Sequence, residues 1–261
     1  MEIVASTLTD RRSAVSYNDR GADGAAYSRW KGWVAETPFG HLSAGEADYF
    51  KRELRDVTGG AAVQDVLEIG FGNGAFLSYC RSREWTVTGT ELGTDLVAAA
   101  REAGFDVHPA DELDQVPDGS FDLVAVFDVL EHIPQDDIIE FLESLAAKLR
   151  PNGSMLLRFP NADSWLGNPL QFGDPTHVTA IGYLKMSYFA LCAGLRLDVF
   201  RAATRPSFAS SFVHGLYSLT AGTYIDVTAR LKRLIYFPGL PVVLSTSNVI
   251  CVARKAPSRN D

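Results

Sequence analysis

The sequence predicts an α/β fold, a mostly parallel sheet with helices on both faces, and three observations carry that expectation. A run of branched apolar residues over 63–69 breaks into three glycines, Gly70, Gly72 and Gly74, and an apolar segment of helical character follows. Strand-like and helix-like segments then alternate over 85–149, the order that builds parallel βα units. The run over 121–130 is apolar at nearly every position, as a central strand buried on both faces requires.

Length and composition set the bounds. A chain of 261 residues holds one sizeable α/β domain with an added cap and buries a proper core. Hydrophobic residues at 46% and charged residues at 21% place it with ordinary globular proteins. The formal charge of −8 argues against a nucleic-acid partner, because phosphate recognition depends on clustered Lys and Arg. The three cysteines, Cys80, Cys192 and Cys251, are far apart and set among apolar neighbours, a pattern of buried free thiols with neither a disulfide framework nor a zinc site. The polar N-terminus lacks a secretory signal and no stretch reaches the roughly 20 apolar residues of a membrane span. A cytoplasmic location is expected.

Residues 1–25 are polar and without sustained periodicity, and read as a mobile arm. Tyr27, Trp30, Trp33 and Phe39 follow close together. They either pack the N-terminal segment onto the domain or form a lid in which Tyr27, Trp30 and Trp33 touch the substrate. Ser43-Ala44-Gly45-Glu46 is a capping-box pattern, and it predicts a helix over 44–57 that buries Tyr49, Phe50, Leu54 and Val57. Residues 1–60 thus form an arm and a helical N-terminal cap.

The glycine stretch is a strand, tight turn and helix. Glycine is needed there because it takes positive φ and lets a ligand approach the backbone. One reading is a dinucleotide fingerprint on Gly70, Gly72 and Ala75, which would make the chain an NAD-dependent oxidoreductase. The string Glu68-x-Gly70-x-Gly72-x-Gly74 fits better. Phe76, Leu77 and Cys80 suit the inner face of the next helix. The β-rich run 85–90 ends at Glu91-Leu92, about twenty residues past the glycines, where a carboxylate can accept from both hydroxyls of a ribose. A helix over 96–103, a short strand over 105–108, then Asp111 and Glu112 follow. The strand from Phe121 delivers Asp128 to the carboxyl edge of the sheet, where ligands bind. A helix over 136–149 leads to Pro151-Asn152-Gly153, a turn into the fifth strand.

The glycine string, the F-D-L-V and V-L-E-H-I block of 121–133, and the L-R-P-N-G turn of 149–153 together resemble the class I S-adenosylmethionine-dependent methyltransferases. They are most similar to the subgroup with ubiquinone-pathway and sugar or polysaccharide O-methyltransferases. Asn152 stands where that subgroup has the first glycine of its turn. The resemblance covers 63–160 and implies a Rossmann-like seven-stranded sheet, with the methyltransferase domain at 61–256 and a tail at 257–261. It implies S-adenosylmethionine as cofactor, bound by Glu68, Gly70, Gly72, Gly74, Glu91 and Leu92. Asp111 would read the adenine amino group and Asp128 would lie near the methionine end. It continues in the D-x-T-H segment of Asp174 to His177, before an amphipathic helix over 181–193 and a sixth strand over 196–201. The implied acceptor is a hydroxyl of a glycan, sugar or small molecule.

Methyl transfer is an in-line displacement, so positioning in a dry site supplies much of the rate. A hydroxyl must also lose its proton, and histidine is the usual base near neutral pH. Of His41, His108, His132, His177 and His214, His177 is the favoured base, with Asp174 beside it at the substrate edge, and His132 is the second. Each can equally be a structural hydrogen-bonding residue. A divalent metal among Asp128, Glu131, His132, Asp174 and His177 ranks below both, and no metal ligand is assigned. A C-terminal insertion over 206–243 carries Val227, Leu231, Leu234 and Ile235 at helical spacing, interleaved with Arg230, Lys232 and Arg233. It is expected to pack on the core and extend the substrate wall; the alternative is a basic amphipathic element over 213–237 resting on a membrane. A non-catalytic partner that keeps the fold is the remaining reading.

Overall fold

The apolar runs become seven strands: β1 (Asp65–Ile69), β2 (Thr86–Glu91), β3 (Asp106–Pro109), β4 (Phe121–Phe127), β5 (Leu149–Pro160), β6 (Leu195–Ala202) and β7 (Asn248–Lys255). They form one sheet in the order β3-β2-β1-β4-β5-β7-β6. All pairings are parallel except those of β7, which runs antiparallel to both β5 and β6. The chain reverses direction across the sheet between β1 and β4, the switch point where α/β sheets bind ligands. An antiparallel strand between β5 and β6 departs from the 3-2-1-4-5-6 order of dinucleotide folds.

This computed structural model describes residues 38–57 and 63–256. The described residues from Phe39 onward group as one compact unit. The expected arm, the lid residues Tyr27, Trp30 and Trp33, and the tail at 257–261 lie outside the described residues.

Alternation along each central strand divides the core between two faces. Leu67, Val124 and Leu157 point to one side, beneath Leu142 and Leu145 of α4 (Ile138–Lys148) and Met186 and Phe189 of α6 (Tyr183–Cys192). Their neighbours Val66, Leu123 and Leu156 point to the other, with Phe76, Leu77 and Cys80 of α2 (Ala75–Ser82) and Val97 of α3 (Thr94–Glu102). The turn into β5 holds Asn152 at φ +68°. Asparagine tolerates that left-handed conformation better than other side chains with a Cβ, which explains why it can replace glycine there.

The helix at the cap is α1 (Ala44–Glu53), and the capping box forms as expected, with Glu46 N donating to Ser43 Oγ at 3.2 Å and Ser43 N to Glu46 Oε2 at 2.9 Å. It ends earlier than the expected residue 57, passing into a 3₁₀ turn, Leu54–Asp56. Phe50, Leu54 and Val57 are buried, whereas Tyr49 is only half-buried. The end of α1 is tied to the far edge of the sheet. Glu53, fully buried, accepts from Arg201 Nη1 at 2.6 Å and from Thr204 N at 2.6 Å, and Arg201 Nε reaches Asp56 Oδ2 at 2.5 Å.

Three expectations need correction. Cys192 is exposed, while Cys80 and Cys251 are buried. The helix α6 is apolar on both sides rather than amphipathic, since Leu184, Tyr188 and Leu191 are exposed opposite the buried Met186 and Phe189. The insertion folds into α7 (Phe212–Tyr217), a π turn (Ser218–Gly222) and α8 (Thr223–Tyr236). Its expected packing residues, Val227, Leu231, Leu234 and Ile235, all face solvent. A short helix, α5 (Asn168–Gly173), lies between β5 and α6. Among the described residues no helix is long and apolar enough to cross a membrane.

Removing one partner of a buried ion pair strands the other charge. Arg201→Met is expected to lower the unfolding free energy by about 3–5 kcal/mol, read by urea denaturation. Adding Glu53→Gln should recover part of that loss; equal losses in the single and double variants would show that Glu53 does not depend on Arg201.

Candidate active site

The three glycines take positive φ, +70° at Gly70, +53° at Gly72 and +79° at Gly74. A Cβ at Gly70 would lie 2.7 Å from Val129 Cγ2, and one at Gly74 would lie 2.4 Å from Phe39 Cζ. Backbone angle and space therefore both demand glycine. Phe39 rests on the loop and packs edge-on against Phe71 and Phe105 at 6.0 and 6.1 Å, and the neighbouring Gly40 N donates to Asn73 O at 2.7 Å. This aromatic is a packing residue of the glycine loop.

Glu91, at the end of β2, holds the loop directly. Its Oε2 accepts from Gly72 N at 2.9 Å, and its Oε1 accepts from Leu92 N at 2.8 Å and Gly93 N at 3.1 Å. A carboxylate offers roughly four acceptor positions. Three of them are taken by the backbone. Leu92 stands exposed on the rim. Asp111 is exposed in a 3₁₀ segment, Ala110–Gln115, after β3 and beside the end of β2.

Glu68 is buried beneath the loop, and its Oε2 has no hydrogen-bond partner among the described residues. Burial, and secondarily the charge of Glu91, push its carboxyl well above the usual carboxylate range. A buried polar atom in need of a partner, under a loop of three glycines and beside the carboxylate of Glu91, fits S-adenosylmethionine at this switch point.

Asp128 follows β4 with φ +55°, a strained angle for a residue other than glycine. Arg158 of β5 binds its carboxylate with two nitrogens, Nε at 2.9 Å from Oδ1 and Nη2 against Oδ2. Arg158 Nη1 also donates to the Tyr49 hydroxyl at 3.0 Å. Burial opposes the Arg158 charge, but Asp128 and Tyr49 outweigh it and hold the guanidinium protonated. Burial likewise pushes the Tyr49 phenol up to about 12, against the attraction of Arg158. Neither Arg158 nor Tyr49 was expected at the site. An arginine inside the apolar run Met155-Leu156-Leu157-Arg158-Phe159 is the signal that could have found the pair.

The histidines expected to act do converge. His132 ends a 3₁₀ turn, Leu130–His132, directly after β4, and its ring meets that of His177 with centroids 4.7 Å apart and planes at 75°. Thr176 O lies 3.2 Å and Thr176 Oγ1 3.1 Å from His132 Nδ1. His177 Nε2 lies 3.4 Å from Asp174 Oδ2 and 3.9 Å from Glu131 Oε1. The two segments are laced by backbone, since Val178 N and Thr179 N both donate to Glu131 O, at 2.8 and 3.1 Å. Asp174, expected to touch the substrate, is buried against His177 and accepts from Thr176 N at 2.9 Å. Glu131, His132 and His177 each offer an atom within 4.8 Å of the others, a donor set that could hold a divalent cation. Asp128, included in that group from sequence, is drawn away by Arg158. His108 lies near Asp106 and Glu112, at 3.9 Å from each, and His214 bonds Ser211 at 3.0 Å. A cavity of about 610 Å³ lies away from the histidines, between α1 and the insertion.

A family profile described as a methyltransferase domain matches residues 29–204. The chain belongs to this family, the class I S-adenosylmethionine-dependent methyltransferases. It is similar to the ubiquinone biosynthesis O-methyltransferase of Sodalis glossinidius (strain morsitans), at 28% identity over 60% of this chain and 65% of that protein. The protein of the same name from Pseudomonas aeruginosa (strain LESB58) is 30% identical over 49% of this chain and 56% of its own. The methyltransferase thus spans less than two thirds of the length of these curated relatives. The solved S-adenosylmethionine-dependent methyltransferase of Archaeoglobus fulgidus shares the fold, with a TM-score of 0.58 at 18% identity over 80% of this chain and 94% of that one. S-adenosylmethionine is the cofactor of the family, and the sheet order separates the methyltransferase from the dinucleotide folds.

Two outcomes are expected. Glu91→Ala removes the acceptor of three backbone N–H groups that shape the glycine loop, so it should weaken S-adenosylmethionine by at least about tenfold in calorimetry and speed hydrogen exchange at Gly72 and Gly93. Normal exchange there would refute its role in shaping the loop. Glu68, with its folded value raised, contributes stability that is full below the ordinary carboxylate value and lost as pH rises through the raised one. Glu68→Gln should flatten that decline in unfolding free energy between mildly acidic and mildly alkaline pH; an unchanged slope would refute it.

Proposed function

We propose that this methyltransferase methylates a hydroxyl oxygen of a small molecule in the cytoplasm, with the contacting pair His132 and His177 as its proton-handling unit. The observation that carries this reading is the imidazole pair beside the end of β4, its rings oriented by Thr176 and Asp174. A carbonyl oxygen only accepts, so the contact of His132 Nδ1 with Thr176 O puts the hydrogen on Nδ1 and the basic lone pair on Nε2. His132 Nε2 is then the atom that takes the acceptor proton. His177, favoured from sequence alone, lies against Asp174 and Glu131, and it positions His132. Bound S-adenosylmethionine would supply an electrophilic methyl carbon. Glu91, the glycine loop and Glu68 would hold it, Asp111 would meet its adenine, and Asp128, clamped by Arg158, would face its methionine end.

The names of the curated relatives support an O-methylated small molecule of the ubiquinone-precursor kind ahead of a glycan. Three free cysteines accord with a reducing compartment. The convergence of the histidines favours an active enzyme over a non-catalytic partner.

Calorimetry with S-adenosylmethionine, its demethylated product and NAD comes first, then product release with catechols, phenols and sugars as acceptors. His132→Ala is expected to lower kcat by roughly 10²–10⁴-fold with affinity for the demethylated product unchanged, and His177→Ala by less. NAD binding in place of the sulfur compounds, or a His132→Ala variant as fast as the parent, would overturn the proposal.

A further inference from the structure

We infer that the insertion between β6 and β7 is a docking surface for an anionic lipid bilayer. This surface does not depend on which hydroxyl the site methylates. In α8, Tyr224, Val227, Leu231, Leu234 and Ile235 recur at intervals of three, four, three and one residues, which places them on one stripe of a helix. All five are more than half exposed, from 57% at Leu231 to 71% at Tyr224.

The opposite side faces the body of the protein. Ala229 is buried there, and both carboxylate oxygens of Asp226 are taken by Arg205, at 2.7 and 2.9 Å. The helix is therefore inverted relative to a surface helix of a soluble domain, whose apolar stripe faces the core. Phe212 and Val213 of α7 and Leu219 of the π turn extend the exposed apolar area, well past the isolated surface hydrophobics of ordinary proteins.

Charge decides what covers it. Asp226 is the only acidic residue of 206–243, and it is neutralised by Arg205, whereas Arg230, Lys232 and Arg233 make the segment basic in a chain of net charge −8. At 100° per residue, Arg230 and Lys232 flank the apolar stripe on either side, and both are exposed. Tyr224 and Tyr236, both exposed, add the amphipathic aromatics that sit at headgroup depth. Apolar stripe, flanking cations and aromatic rim are the features of a helix lying in the plane of an anionic leaflet. A second copy joined through the same face would set these cations against their own counterparts.

The test is sedimentation of the full chain with vesicles of phosphatidylcholine plus phosphatidylglycerol, and with phosphatidylcholine alone. The parent is expected to bind the anionic vesicles preferentially and to release them as salt rises. Leu231→Ser/Leu234→Ser/Ile235→Ser should abolish binding. Arg230→Glu/Lys232→Glu should weaken it by more than tenfold, at roughly fivefold per charge. Unchanged affinity for the demethylated cofactor verifies that both variants fold. No binding to either vesicle, or equal binding by parent and variants, would overturn the inference. So would a dimer in analytical ultracentrifugation that the Leu231, Leu234 and Ile235 changes dissolve while vesicles are ignored, which would give the face to a second copy.

Discussion

A largely buried guanidinium at the switch point of the sheet joins the parts of the site. Arg158 enters from β5, clamps Asp128 at the end of β4, and holds the Tyr49 hydroxyl of α1. Taking a guanidinium out of water is costly unless its donors are met, and Asp128 and Tyr49 meet them. The same contacts explain the left-handed backbone of Asp128, because its carboxylate is pulled toward the neighbouring strand. With Asp128 fixed, the chain turns into Leu130–His132 in a set direction, and His132 arrives against His177. An ion pair between adjacent strands thus fixes where the imidazoles can stand.

Glu91 does for the cofactor edge what Arg158 does for the reacting edge. Glycines at positive φ are permissive, so a loop of three needs something external to select one conformation. The carboxylate of Glu91 supplies it by accepting from Gly72, Leu92 and Gly93 at once, and Phe39 closes the other side of Gly74. The group proposed to meet the ribose is therefore also the group that shapes the loop, so loss of binding in a Glu91 variant reports loop order.

What was legible in the sequence was local. Strands β1 and β4 are apolar runs with turn residues at their ends, β2 is rich in β-formers, the glycine spacing is a backbone requirement, and the capping box at Ser43 involves residues three apart. What was not legible depends on long-range closure. Nothing near Arg158 in sequence names Asp128 or Tyr49 as its partners. His177 stood out because its segment is polar and irregular, but nothing in that segment names His132 as the ring it meets. The stripe on α8 was visible as a period, but a period does not say which side of a helix meets the protein. That was decided by Arg205, whose grip on Asp226 turns that side of the helix inward and the apolar stripe out.

The insertion and the site are mechanically continuous through α1. Ser207 Oγ donates to Asp48 Oδ2 at 2.6 Å and Arg52 Nη1 to Arg205 O at 2.9 Å, so the foot of the insertion is bonded to the helix that carries Tyr49. Arg205, bonded to α1 through its carbonyl, is also the residue that orients α8. A displacement of α8 on its target therefore has a short bonded route, through Arg205, Arg52 and Tyr49, to the Arg158–Asp128 pair. Coupling along such a route requires two discrete arrangements of the linking element. The α1 helix is held at its end by buried Glu53 against Arg201 and Thr204, and its N-terminal turn is packed closely against Ser210 at Gly45.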